Sequence, residues 1–496
     1  MQTFIHLDFI KMQGFKKYSL LFLMILIQGV VFAQAPNIGS NRELFVDEYL
    51  IGDLDGAMLK MHEPVDEGAV IKFEKPWEGA FSAYFTVIKD GDTYRAYYRG
   101  VPEAGSDGND GEVTCYAESN DGINWTKPDL NQYTVKGSKK NNVILANAAP
   151  VTHNFSPFLD RNPEAKNRER YKALGGTKDS GLVAYVSSDG KVWQKLQEQA
   201  VFTKGVFDSQ NVVFWSKSEE KYVCYFRTWT GDGYSGFRSV GRTTSKDFVN
   251  WSEPVQMSFG NKPYEHLYTQ QTSPYYRAPQ IYLAIGARFM PNRKVVNDEE
   301  AKKLGVNPKY YNDCSDAVLM SSRGGGAYQR QFMESFIKPG IGLQNWVSRS
   351  NYPALNIVQT GDTEMSIYVN QDYAQPTAHL RRYSMRLDGF ASLNAGYDGG
   401  EMTTKPFVFE GAVLELNYST SAAGEILVEL LDEDGNKLPG YSLEECQPII
   451  GNEISRTVYW NKSNDLSKLA GKAVKMRIYL KDADVFSYKF NHNSNN

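Results

Sequence analysis

The stretch Ser119-Asn120-Asp121-Gly122-Ile123-Asn124-Trp125 decides the fold, because its pattern of a polar turn ending in tryptophan occurs three times. The other copies are Ser188-Asp189-Gly190-Lys191-Val192-Trp193 and Ser245-Lys246-Asp247-Phe248-Val249-Asn250-Trp251. Each copy follows a run rich in aromatic and branched residues, which favour strands. A spacing of roughly 60 to 70 residues suits one four-stranded blade with long loops. The repeat therefore predicts a β-propeller, whose blades surround a channel that can hold a small ligand.

Composition limits the possible partners. The chain has 496 residues, a net charge of −4 and 41% hydrophobic residues. This length and apolar content allow a large core and two or three domains. The nearly balanced charge favours neither nucleic acid nor an anionic membrane as a partner.

Residues 1–33 have the pattern of an export signal. Lys16 and Lys17 precede an apolar run from Leu20 to Ile27, and Val31-Phe32-Ala33 predicts cleavage after Ala33. The run is too short to predict a membrane span, although an N-terminal anchor helix stays the alternative. Residue 34 is Gln rather than the Cys of a lipoprotein anchor. We therefore expect a periplasmic or extracellular protein without a membrane anchor.

Strand-like runs fall into five groups along the propeller region. An early strand is expected at 44–51, and a short helix is expected at Asp298–Leu304. The strands predicted for the five blades are Tyr84–Ile88 and Tyr94–Tyr98, Phe155–Leu159 and Tyr171–Leu174, Val212–Trp215 and Tyr222–Phe226, Ile281–Ile285, and Ala317–Ser321 with Met365–Val369.

The pattern changes near residue 397. Val474, Met476, Ile478 and Leu480 alternate with polar or larger residues, and turn signals recur at short intervals. Such period-two strands are typical of a β-sandwich. The predicted fold class is therefore all-β, with a five-bladed propeller over 40–396 and a β-sandwich over 397–490. The second domain is expected to pack on the propeller, with carbohydrate binding as its alternative role.

Polar residues directly before the inner strands are expected to meet at one mouth of the channel. The candidates are Glu78 in blade one, His153 and Asn154 in blade two, Asp208 in blade three, Glu265 and His266 in blade four, and Arg349, Asn351 and Tyr352 in blade five. A second indication of function comes from arginines near strand ends. They are Arg227, Arg277, Arg288, Arg349, Arg381 and Arg382. Guanidinium groups bind carboxylate and sulfate through paired hydrogen bonds, which favours anionic sugars. Surface ion pairs are the alternative role for these arginines.

Two of the acids form the predicted catalytic pair. Glycoside hydrolysis needs one protonated and one ionised carboxyl group on either side of the bond, and we expect Asp208 and Glu265 to supply them. His153 is the third catalytic candidate, because an imidazole can transfer protons near neutral pH. Asp208→Asn is expected to lower turnover by at least about 100-fold with the fold intact. The alternative for each acid is a solvated strand end, and for His153 a structural role.

The blade number and the acids before inner strands make residues 40–395 resemble five-bladed carbohydrate-active enzymes, similar to glycoside hydrolase families 43 and 32. The chain also resembles a group of secreted bacterial propeller proteins through Arg349-Ser350-Asn351-Tyr352-Pro353-Ala354 and Arg382-Tyr383-Ser384-Met385-Arg386-Leu387-Asp388-Gly389-Phe390. The resemblance implies acids on blades one to three. His153-Asn154 stands where an aspartate is implied, and Asp208 where a glutamate is implied. This departure puts the hydrolytic mechanism in question.

Three functions follow from these residues. The leading one is a secreted glycosidase acting on oligosaccharides of an acidic polysaccharide, uronate-containing or sulfated. The second is a lyase or dehydratase on uronate-containing oligosaccharides, with His153 as the base. The third is a sugar-binding propeller without catalysis. No cofactor is predicted, and the dispersed histidines and cysteines predict no metal site.

Overall fold

The chain forms a ring of five β-sheets joined to a sixth, larger sheet, and the computed structural model describes residues 35–347, 349–461 and 463–492. Each sheet of the ring is one blade, which confirms the predicted five-bladed propeller. The export signal expected at 1–33 lies outside the described residues. Among the helices of the described ranges, none is long and apolar enough to cross a membrane.

The blades follow one another along the chain, and their strands pair antiparallel. The strands are, in blade one, Ala83–Asp90, Thr93–Gly100, Val113–Ser119 and Val143–Leu145; in blade two, Ser156–Leu159, Tyr171–Gly175, Val183–Ser187 and Gln194–Lys195; in blade three, Val212–Ser216, Lys221–Trp229, Arg238–Ser245 and Val255–Gln256; in blade four, Leu267–Thr269, Thr272–Tyr275, Ala278–Met290 and Cys314–Ser322; and in blade five, Tyr352–Pro353, Val358–Gln359, Glu364–Gln371, His379–Arg386 and Val65–Lys72.

The N-terminal part of the chain closes the ring. Val65–Lys72 precedes blade one in sequence but pairs with His379–Arg386 as the outer strand of blade five. The last blade is therefore tied to the first by the backbone that connects Val65–Lys72 to blade one. Such closure leaves the ring without an open end between its first and last blades.

The three repeated turns are alike because an aspartate organises each backbone. Asp121 Oδ1 accepts the N–H groups of Ile123 at 2.8 Å and Asn124 at 2.7 Å. These bonds, that of Asn124 foremost, lower the pKa of the Asp121 carboxyl. Asp189 and Asp247 accept two N–H groups in the same way. The sequence repeat is thus a repeat of one hydrogen-bonded turn.

Each repeated turn packs on the preceding blade of the ring. In blade one, Gly122 O accepts the Tyr368 hydroxyl of blade five at 2.6 Å. In blade two, Asp189 O accepts Arg95 Nη1 of blade one at 2.7 Å. In blade three, the Phe248 ring lies 5.7 Å from that of Phe158 in blade two. The repeat therefore marks the joints between blades.

The sixth sheet has ten strands and takes its strands from both ends of the described chain. Leu414, Leu416, Ile426, Val428 and Leu430 alternate along Val413–Asp432 and pack in one apolar core. The strands are Asn37–Gly39, Arg42–Leu44, Ile51–Asp55, Ala57–Met61, Ala391–Ala395, Gly400–Thr404, Phe407–Phe409, Val413–Asp432, Asn452–Thr457 and Ala473–Asn491.

Two sequence predictions need correction here. The early strand expected at 44–51 is a bend between Arg42–Leu44 and Ile51–Asp55, and residues 37–61 pair within the sixth sheet rather than the propeller. Ala317–Ser321, assigned to blade five, pairs with Ala278–Met290 in blade four. A long excursion between these strands hid their pairing. The division of the chain at residues 396 and 397 stays a prediction.

Within that excursion, Asp298–Leu304 forms the predicted helix. Asn297 caps it, since its side chain accepts the N–H of Glu300 at 2.9 Å and Glu300 accepts the N–H of Asn297 at 2.8 Å. Gly305 ends the helix with a φ of 67°, which glycine adopts without strain. The remaining short helices are of the 3₁₀ type and span Val151–His153, Asn167–Glu169 and Leu343–Trp346.

The segment Arg382–Phe390 connects the propeller to the sixth sheet through buried contacts. Asp388 is fully buried and lies 2.9 Å from Arg277 and 3.5 Å from Arg42. It also accepts the hydroxyl of Ser487 at 2.7 Å. Burial raises the pKa of this carboxyl, but the two arginines outweigh burial and the pKa is lowered. Arg277 therefore serves this joint, and Arg382 donates to Glu364 Oε1 and Ser366 Oγ within blade five at 2.8 Å each.

Candidate functional site

A small cavity lies where the inner strands begin. It measures about 30 Å³, which is room for about one or two water molecules. Its wall comes from blades one, four and five and includes Tyr84, Arg99, Glu112, Tyr268, Arg349, Tyr352 and Tyr373. We name this cavity, with His153 and Arg227 behind its wall, the narrow mouth.

Strained backbone brings these side chains together. Tyr84 has a φ of 58° and lies at a register shift in Ala83–Asp90. Asn351 has a φ of 64°, and its amide donates to Ser315 O and Asn345 O at 3.0 Å each. A non-glycine residue in this region costs about 1–3 kcal/mol and persists only where its surroundings hold it. Such residues concentrate at functional sites.

His153 is held by a carboxylate. Its Nδ1 lies 2.9 Å from Glu112 Oε1, with Arg99 Nη1 at 3.1 Å and Gly108 N at 3.2 Å. Glu112 can only accept at Nδ1, whereas Arg99 and the Gly108 N–H can only donate, so both kinds of partner meet at this nitrogen. Nε2 is buried without a hydrogen-bond partner in the described ranges. The edge of the Tyr84 ring completes the surroundings at 5.7 Å.

Three arginines converge on the narrow mouth but differ in their partners. Arg99 lies 3.9 Å from Glu112, and Arg227 lies 3.1 Å from Asp208. Arg349 is partly buried and stacks on Tyr268 at 5.1 Å and Tyr310 at 5.0 Å. Within the described residues no carboxylate pairs with Arg349. The site therefore holds one cation whose neighbours are rings rather than anions.

The tyrosines of the narrow mouth are kept protonated. Burial, more than any neighbouring charge, raises the pKa of Tyr84 and of Tyr352 well above the ordinary value. The Tyr352 hydroxyl is buried and has no hydrogen-bond partner in the part of the chain that the structure describes. It can therefore donate a hydrogen bond to a ligand.

The two predicted catalytic acids form separate ion pairs, and their role as a catalytic pair stays a prediction. Asp208 pairs with Arg227, whereas Glu265 lies 2.9 Å from Arg288 and 2.8 Å from Arg330 in blade four. Arg288 in turn pairs with Asp316 at 2.6 Å. No contact joins Asp208 to Glu265 in the described residues, because each carboxylate is drawn to an arginine of its own blade. Arg288 and Glu265 thus belong to an ion-pair cluster away from the cavity wall.

The other candidates lie in different places. Arg349 and Tyr352 line the cavity. Glu78 is buried within blade one, where it accepts the Tyr98 hydroxyl at 2.5 Å and lies 2.7 Å from Lys127 Nζ. The Asn154 amide uses its donors and acceptor on backbone groups of residues 176, 207 and 209. These bonds leave Glu78 and Asn154 no free group to offer a ligand.

His266 lies beside the site rather than in it. Its Nδ1 accepts the N–H of Arg238 at 3.1 Å, and its ring lies 5.0 Å from Phe237. Burial, followed by the charges of Arg238 and Arg227, lowers its pKa. The ring is therefore neutral near pH 7 and is not a cationic ligand for an anion.

Arg99 and Glu112 were not among the predicted site residues, because neither directly precedes an inner strand. In a blade the second strand returns to the mouth from which the first strand started, and the third strand leaves from there. Arg99 lies near the end of Thr93–Gly100, and Glu112 directly precedes Val113–Ser119. The ends of second strands and the residues directly before third strands are therefore also positions at which site residues can be expected.

The channel is closed below the narrow mouth. Gln271 Nε2 donates to Gln210 Oε1 and to Pro353 O at 2.7 Å each. Gln210 Nε2 donates to Thr86 Oγ1 at 2.9 Å. We name these three side chains the channel floor.

Among the described residues, no group of three or more His, Cys, Asp or Glu could hold a metal ion.

No family model matches the sequence, and no curated protein matches it. Solved structures with a similar fold include the catalytic domain of the Coprinopsis cinerea GH62 α-L-arabinofuranosidase, at 10% identity over 66% of this chain and 97% of that one, with a TM-score of 0.40. The β-1,2-mannobiose phosphorylase from Listeria innocua is 11% identical over 67% and 99%, with a TM-score of 0.41. An N-acetylgalactosamine deacetylase from F. plautii, complexed with blood group B trisaccharide, is 13% identical over 71% and 96%, with a TM-score of 0.37.

Proposed function

We propose that the chain is a carbohydrate-active enzyme that cleaves an anionic, uronate-containing oligosaccharide by elimination at the narrow mouth. The buried His153 supports this proposal most strongly. Its Nδ1 is held 2.9 Å from Glu112, and its Nε2 has no partner in the described residues. In the proposed reaction Glu112 positions the ring through Nδ1, and Nε2 acts as the general base.

Arg349 supports an anionic substrate. Its guanidinium stacks on Tyr268 and Tyr310 and has no carboxylate partner among the described residues. A carboxylate that enters the narrow mouth would accept paired hydrogen bonds from it. The same contact would stabilise the negative charge that develops on a uronate when the proton next to its carboxylate is removed.

The elimination then balances as follows. The C5–H bond of the uronate breaks, and its proton goes to Nε2 of His153. The electron pair forms the C4=C5 double bond while the C4–O bond breaks. The leaving oxygen takes a proton from a phenol, for which Tyr352 is the best candidate because burial keeps it protonated. Glu112 positions His153 and stabilises the imidazolium that forms.

A sugar ring needs more space than about 30 Å³. The loop between Thr93–Gly100 and Val113–Ser119 supplies several wall residues, including Glu103, Gly105 and Asp107. Asp107 is largely exposed and lies 3.8 Å from His153 Nε2. We propose that this glycine-containing loop moves away when substrate binds, as lids do in many enzymes.

Hydrolysis is the second candidate, and similarity to glycoside hydrolase families 43 and 32 would imply it. Asp208 favours it, because this carboxylate is partly exposed beside Arg227 and the Tyr84 hydroxyl points to its backbone oxygen at 3.4 Å. Export to the periplasm or exterior remains part of the proposal and rests on residues 1–33.

Product analysis separates these reactions. We expect uronate-containing oligosaccharides to give products that absorb ultraviolet light and whose masses sum to that of the substrate. Products that together gain one water, with no new absorbance, would establish hydrolysis instead. In that case Asp208→Asn should lower turnover by at least about 100-fold, and His153→Gln should lower it much less. Binding without any product would favour a sugar-binding propeller and contradict both reactions.

A further inference from the structure

A second, much larger cavity lies at the opposite end of the channel. It encloses about 1250 Å³ and is lined by the segments in which the inner strands end, at 87–91, 158–164, 213–217, 273–279 and 355–359. Since all five blades contribute, the cavity is a bowl centred on the propeller axis. We name it the wide mouth. Its volume is above the usual range of small-molecule sites, about 300–1000 Å³.

The wall of the wide mouth carries aromatic rings that are not fully covered. Tyr276 is 39% exposed, and Trp215 is partly exposed while the edge of its ring packs at 4.9 Å against Tyr222. Pro274 and Ile357 add partly exposed apolar surface between them. Flat apolar surfaces of this kind can stack against the C–H faces of sugar rings.

Its rim is cationic. Lys89, Arg161, Lys217 and Lys246 lie on the wall, against the carboxylates of Glu164 and Glu220. Arg161, Lys217 and Lys246 are exposed, and within the described residues none of them forms an ion pair or a side-chain hydrogen bond. The rim therefore has an excess of positive charge although the whole chain has a net charge of −4.

The wide mouth has binding groups but no catalytic pair. The channel floor of Thr86, Gln210 and Gln271 separates it from the narrow mouth. No histidine lines it, and its two glutamates are exposed at the rim. A ligand bound there would be held by stacking and by charge, without an imidazole or buried carboxylate to transfer a proton.

We propose that the wide mouth is a non-catalytic binding site for a short, polyanionic oligosaccharide. Aromatic surface accounts for the sugar rings, and the unpaired cations account for the negative charges. The closed, bowl-shaped floor suits a chain end rather than a long strand of nucleic acid that would need to pass through. The inference does not depend on the reaction proposed for the narrow mouth.

The test measures the affinity of a short oligogalacturonate by calorimetry. The full chain carrying Arg349→Ala is used, so that the unpaired cation of the narrow mouth does not contribute. Adding Lys217→Glu and Lys246→Glu should weaken binding by about tenfold or more, since two attractive charges become repulsive. Adding Tyr276→Ala should weaken it by about threefold to tenfold through lost stacking.

The matched control reverses Lys139 and Lys140, which are exposed, unpaired in the described residues and absent from the wide mouth. These reversals change the net charge equally and should leave the affinity unchanged. Equal weakening by both pairs of reversals, or equal binding of the methyl-esterified oligosaccharide, would overturn the proposal. So would absence of binding up to about 1 mM, or single-stranded DNA that binds as tightly as the oligosaccharide.

Discussion

The two mouths of the channel differ, because one carries the reactive side chains and the other has the larger cavity. The narrow mouth holds about 30 Å³ among buried arginines, tyrosines and the His153–Glu112 pair. The wide mouth holds about 1250 Å³ among exposed cations and apolar side chains. Both lie on the same axis, and the side chains of the channel floor separate them. The comparison shows that cavity size alone does not locate a site for proton transfer.

The difference arises from how the chain enters and leaves the inner strands. At the narrow mouth, Tyr84, Asn351 and Asp372 have positive φ angles, and large side chains such as Arg99 and Tyr268 line the opening. At the wide mouth the segments in which the inner strands end surround a cavity of about 1250 Å³. Dense, strained packing fixes reactive groups, whereas the open end leaves room for a ligand.

The largest expected effect is that of His153→Gln. This change keeps hydrogen-bonding capacity but removes the base, so turnover at the narrow mouth should fall by at least about 100-fold. Oligosaccharide binding at the wide mouth should be unchanged, as measured by calorimetry. Near-parental turnover with an unaltered pH profile would show that His153 is structural and would break the comparison.

The next largest effects are expected when one arginine from each mouth is replaced by alanine. Arg349→Ala should lower kcat/KM for an anionic oligosaccharide by about 10- to 100-fold, because a charged hydrogen-bonding partner is lost from a partly buried site. Arg161→Ala, at the exposed rim, should lower wide-mouth affinity by about threefold at most. Steady-state kinetics and calorimetry are measured on both variants, so that each variant is the control for the other. Equal effects of the two changes on kcat/KM would contradict the division.

Gln271→Leu should break the floor that separates the mouths. It leaves the Pro353 carbonyl and the Gln210 amide oxygen without their donor, and burial makes each loss costly. We expect the free energy of unfolding to fall by about 1–3 kcal/mol. Gln359→Leu, an exposed partner of Gly361 O, should cost about 0.5 kcal/mol or less. Denaturant unfolding of both variants measures the difference, and equal losses would mean that the floor is not specially stabilising.

Added salt should give the smallest effect. Exposed cations at the wide mouth are screened within about 8 Å at physiological ionic strength, whereas buried charges are screened much less. Affinity at the wide mouth should therefore fall several-fold between low and high salt, while KM at the narrow mouth changes less. A stronger salt dependence at the narrow mouth would reverse the assignment of exposed and buried cations.

Much of the fold could be predicted because it is encoded locally. The aspartates of the repeated turns accept neighbouring N–H groups, so Asp121, Asp189 and Asp247 form the same turn wherever they occur. The helix Asp298–Leu304 is set by its own capping residues. Ring closure by Val65–Lys72 was not predicted, because pairing with His379–Arg386 depends on residues about 300 positions away.

The sequence by itself determined the five blades, the alternation of the sixth sheet and a set of candidate polar residues, of which Arg349 and Tyr352 line the narrow mouth. Tertiary structure alone decided which of them meet: it paired His153 with Glu112, tied Asp208 to Arg227 and left Arg349 among rings. It also placed Glu265 and Glu78 in ion pairs of their own blades. The physical reason is that turns and strands follow from near neighbours, whereas a carboxylate's partner is the cation that the folded chain brings closest.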